Sequence, residues 1–171
     1  EAIARRLIQD GRTLAFGFED HGGTDEQCAS IAAAVSEGRS EDAMAVLLTT
    51  DTWTRRPFDG RQTVAWARLH RLAFDHIAGQ PERLDWIWRD PERREFGKRD
   101  ALTSNFMALI DRVAPSTVPI ALVGNNWSGR QHHSVCTQLM ERGIDPLCIE
   151  VHPRGQSDNC AWRIGTPAEV G

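Results

Sequence analysis

Apolar residues arrive along this chain in short continuous runs that alternate with stretches of helical spacing, and that alternation predicts an α/β domain. Residues 1–10 read as a short helix. Thr13-Leu-Ala-Phe-Gly-Phe18 is an unbroken apolar run that meets the polar Glu19-Asp-His-Gly-Gly-Thr-Asp25, as a buried strand followed by a loop does. Thr24 and Gln27 have capping-box spacing; Cys28, Ile31, Ala32 and Val35 then recur on one helical face, and Gly38 ends the helix. Ala43-Met-Ala-Val-Leu-Leu-Thr-Thr50 is a second apolar run. Strand, helix, strand in this order predicts a βαβ unit with parallel strands.

The middle of the chain, about 54–114, reads as helical. A long helix over 62–78, with Asp59 and Gln62 as its capping pair, carries Arg61, Arg68, Arg71 and Asp75 as a polar stripe and Trp66 in the core, until Gly79 and Pro81 stop it. Leu84, Ile87 and Trp88 predict a short helix closed by Pro91; Leu102, Phe106, Leu109, Ile110 and Val113 predict a longer one ended by Pro115. Residues 118–123 form a strand-like run that tolerates Pro119 near its start. A loop follows from Gly124 to Arg130, with Ser128 and Gln131 as a capping pair. The next helix has Val135, Cys136, Leu139 and Met140 on its inner face and Gly143 at its end, and residues 146–151 supply a fourth strand. The expectation is a single three-layer α/β domain over 1–151, with a mainly parallel, Rossmann-like or flavodoxin-like sheet of about four strands. Residues 152–171 form a surface tail.

Composition changes this picture little. With 171 residues, 40% hydrophobic and 26% charged, the chain can build a core without disulfide or metal. No apolar run approaches the ~18 residues of a membrane span. The four cysteines form no CxxC pair; Cys28 and Cys136 fall on apolar helix faces and Cys148 in an apolar run, which predicts buried thiols in a reducing, cytoplasmic compartment. Cys148, His152 and Cys160 match no standard zinc spacing. A net charge of −4 argues against a general nucleic-acid binder, although residues 54–99 carry eleven basic against seven acidic side chains and the remainder nine against seventeen.

Chemistry is expected at the carboxyl ends of the strands, where loops and helix N-termini converge in parallel sheets. Those ends offer Glu19, Asp20 and His21, then Thr49, Thr50 and Asp51, then Gly124, Asn125 and Asn126, then Glu150, His152 and Arg154. Carboxylates beside His21 raise its basicity and suit His21, Asp20 and Asp51 to acid–base catalysis; Glu19, Asp20 and Asp51 also suit a hydrated Mg²⁺. Gly124, Asn125, Asn126, Trp127, Ser128, Gly129, Arg130 and His133 form the candidate anion cradle, with backbone N–H groups and a guanidinium, though the loop is neither a Walker A nor a GxGxxG sequence. There are six tryptophans and no tyrosine. Trp53 and Trp127 are placed to stack on a planar ligand, and Trp86 and Trp88, two apart on a helix, cannot both face inward.

Three functions fit these residues. The first is an enzyme that hydrolyses or transfers a group on a nucleotide or related phosphorylated metabolite. The second is a domain of the same fold that senses such a small anionic ligand without turning it over. The third is an interaction module in which the Arg/Trp-rich segment 53–99, through residues 83–94, meets an acidic protein partner.

Overall fold

A computed structural model describes residues 1–19, 23–50, 60–88, 98–123 and 134–147. Among them, three strands form one parallel sheet in the order β2-β1-β3: β1 (Leu14–Glu19), β2 (Leu84–Trp88) and β3 (Val118–Leu122). Six helices accompany it: α1 (Ala2–Gln9), α2 (Asp25–Ser36), α3 (Ser40–Leu48), α4 (Gly60–His76), α5 (Lys98–Arg112) and α6 (Val135–Glu141). None of the described helices is long and apolar enough to cross a membrane.

The register explains the layering. Phe16 pairs with Leu84 and Ile120, and Phe18 with Trp86 and Leu122, so large side chains line one face and meet α1, α2, α3 and α4. Ala15, Ala121 and Ile87 line the other face beneath Leu102, Phe106 and Leu109 of α5 and Val135 and Leu139 of α6. Helices therefore cover both faces, and β1 is buried along nearly its whole length, as a central parallel strand must be. The second face is kept shallow by small residues. A Cβ added to Gly17 would lie 2.9 Å from Ile87 Cγ2 and 3.2 Å from Phe106 Cδ2, so the missing side chain lets α5 approach the sheet.

The two termini of β2 are tied to α5 by polar side chains. Arg112 donates to the carbonyls of Glu82 and Leu84 and to the carboxylate of Asp85, and the Asn105 amide donates to the Ile87 carbonyl at 2.9 Å. β2 is an end strand of the described sheet, and these bonds occupy backbone acceptors that would otherwise lack strand partners.

Several expectations are met. Thr24 caps α2 with the reciprocal Gln27 bond, Gly38 leaves that helix at φ 71°, α5 carries its apolar face inward, and all described strand pairs are parallel. Others are corrected. Residues 40–48, expected to give a strand from Ala43 onward, form α3, because Ala, Met and Leu are strong helix formers and Ala43, Met44 and Leu47 bury at helical spacing. Residues 84–88, expected as a short helix, form β2: the pattern Leu-Asp-Trp-Ile-Trp is rich in strand formers, and each face has a layer to meet. The middle segment is thus not wholly helical. Of the expected fourth strand, Pro146 and Leu147 have no regular structure and 148–151 lie outside the described residues, as does the tail from 152. The helix expected to start near Ser128 is capped instead by Ser134, whose Oγ accepts from the Thr137 N–H; Met140 is exposed rather than inward. Cys28 and Cys136 are both buried, as expected.

Two outcomes follow from this packing. Gly17→Ala should destabilise the fold by about 1–3 kcal/mol, the usual cost of overpacking, read as a lowered urea midpoint. His76 Nε2 accepts the Leu14 N–H at 3.0 Å, so its ring must be neutral, and burial, then the Arg83 charge, hold its pKa below the ordinary value of 6.5. A folded-state pKa below the unfolded one means that this stabilisation is present above about pH 6.5 and is lost as pH falls towards the folded value. Urea midpoints should decline across that window, and less steeply in His76→Gln, whose amide oxygen accepts the same bond without titrating.

Candidate functional site

One edge of the sheet collects the ends of nearly every element. The chain leaves β1 at Glu19 and starts α2 five residues later, with Thr24 Oγ1 accepting the Gln27 N–H and Gln27 Oε1 accepting the Thr24 N–H. Gln27 Nε2 also donates to Thr49 Oγ1 at 3.2 Å, which brings the end of α3 to the first turn of α2. Thr50, fully buried with its hydroxyl bonded to the Leu47 carbonyl, closes α3 at this edge.

The other helices start here too. α4 runs antiparallel to β1, since His76 bonds the first residue of that strand while His70 stacks on Phe18 near its end. α4 therefore starts on the carboxyl side of β1 and runs back along it. The Arg112 and Asn105 bonds fix α5 antiparallel to β2 in the same way. Asp100, in the first turn of α5, accepts from Gln138 Nε2 at 2.5 Å and so joins that turn to the start of α6.

A switch point lies within this edge. From β1 the chain passes to α2 on the face of the large side chains, and from β3 it passes to α6 on the opposite face. β1 and β3 are neighbours whose chains leave towards opposite faces, the arrangement at whose carboxyl ends parallel sheets bind ligands.

Of the strand-end residues named above, Glu19, Thr49 and Thr50 lie within the described chain, and Thr49 and Thr50 close the helix α3 rather than a strand. Glu19 ends β1 partly exposed, and the β1–β2 register shifts between Phe18 and Glu19, an irregularity of the kind that re-aims a side chain at a strand end. Asp20, His21, Asp51, Gly124, Asn125, Asn126, Trp127, Ser128, Gly129, Arg130 and His133 lie outside the described residues, as do Trp53, Glu150, His152 and Arg154. The described ends that lead into 20–22, 51–59 and 124–133 all open on the carboxyl edge. Among the described residues no group of three or more His, Cys, Asp or Glu is placed to hold a metal ion. Asp25 and Glu26 occupy the first turn of α2, where negative charge complements the helix dipole.

The structure adds an aromatic group that the sequence reading passed over. His70 is 5% exposed, its ring 4.1 Å from that of Phe18 and nearly parallel to it, with Trp86, Trp66 and Phe74 at 6.1–6.3 Å. His70 Nδ1 lies 2.9 Å from the Trp66 carbonyl oxygen, which can only accept. Nδ1 therefore carries the proton, and in the neutral ring Nε2 does not. The signal was present as Trp66, His70 and Phe74 at i, i+4 and i+8 of one helix. Trp66, expected in the core, is half-buried, while Trp86 turns to the large-residue face because residues two apart on a strand share a face.

Thr24→Ala should cost about 1 kcal/mol of stability, the usual effect of losing an N-cap, measured by urea unfolding. A loss under a few tenths would mean that the box does not hold the first turn of α2 at the edge. Comparison with protein-family models, curated proteins and solved structures gives no match.

Proposed function

We propose that the chain is an enzyme acting on a nucleotide or a related phosphorylated metabolite, by hydrolysis or group transfer, in the crevice between the carboxyl ends of β1 and β3. The observation that carries this reading is the switch point: β1 and β3 lie side by side and send their chains to opposite faces. The order β2-β1-β3 is the one that opens a flavodoxin-like sheet, which supports that member of the two fold types expected.

In this reading the two loops at the crevice divide the work. Backbone N–H groups of 124–130, with Arg130, take the anion. His21 removes a proton from the attacking water or hydroxyl, and Asp20 and Asp51 orient it and stabilise the positive ring. Glu19, Asp20 and Asp51 are the oxygen donors suited to Mg²⁺, which would neutralise phosphate charge when bound. The interaction-module reading is weakened, since Trp86 packs against Phe18 and His70 rather than facing a partner.

A thermal-shift panel of nucleotides and sugar phosphates, with and without Mg²⁺, tests the reading. A ligand at ~100-fold over its Kd should raise the melt by roughly 5–10 °C for a chain of this size. Turnover of that ligand should vanish in His21→Ala and Asp51→Asn, both retaining the wild-type melt. A ligand-dependent shift with no product formed would identify a sensor instead, and a panel with no shift at all would remove both readings.

A further inference from the structure

We draw no further inference here: the strongest candidate, the polar junction between the starts of α5 and α6 where the Gln138 side-chain oxygen is buried without a hydrogen-bond partner among the described residues, rests on one amide of a residue that is itself only half-buried, and no second observation points to a ligand there.

Discussion

Everything in this molecule depends on β1 being buried from both faces and bonded along both sides. Phe16 and Phe18 fill one face, and on the other Ala15 and Gly17 leave room for Ile87 and for Phe106 of α5. Burying such a strand is favourable only when its backbone groups are all paired, which the parallel ladders to β2 and β3 accomplish. At roughly 25 cal/mol per Å² of apolar surface, the two phenylalanines and the helices they draw in make this the centre of the hydrophobic stabilisation. The asymmetry of the faces then decides the layering. Large side chains below four helices give a thick layer, and small ones below α5 and α6 give a thin one.

The same strand sets the site. Because β1 is central, the connection to β2 must cross one face and the connection from β2 to β3 must cross the other, passing over β1. The chain after β1 and the chain after β3 consequently part company at one edge. Helix starts gather there for the same reason, since every connecting helix that returns antiparallel to a parallel strand begins where a strand has just ended. The switch point is thus a product of topology before any functional side chain is considered.

How much of this the sequence disclosed follows from what its patterns encode. The run 14–18 announced a buried strand because burial on both faces leaves no alternation to confuse, and the Thr24–Gln27 pair announced its helix because capping is local chemistry. Residues 43–48 and 84–88 were exchanged in type because a short apolar run has no period of its own; only the helix propensity of Ala-Met-Ala-Val-Leu-Leu and the strand propensity of Trp-Ile-Trp distinguish them. For the site, the strand-end rule placed Glu19 at the end of β1, where the structure has it. It passed over His70, whose burial against Phe18 only the packing reveals.

The central claim is that the β1/β3 edge is where this protein meets its ligand. Amide chemical-shift mapping on isotope-labelled protein, titrated with a nucleoside monophosphate and Mg²⁺, tests it most directly. The largest shifts should fall at Glu19–Asp25, Thr50–Asp51 and Val123–Ser134, with the opposite edge at Gly11, Gly38, Gly79 and Gly143 unmoved. Shifts centred on that opposite edge, or on the outer surface of α3 or α5, would contradict it.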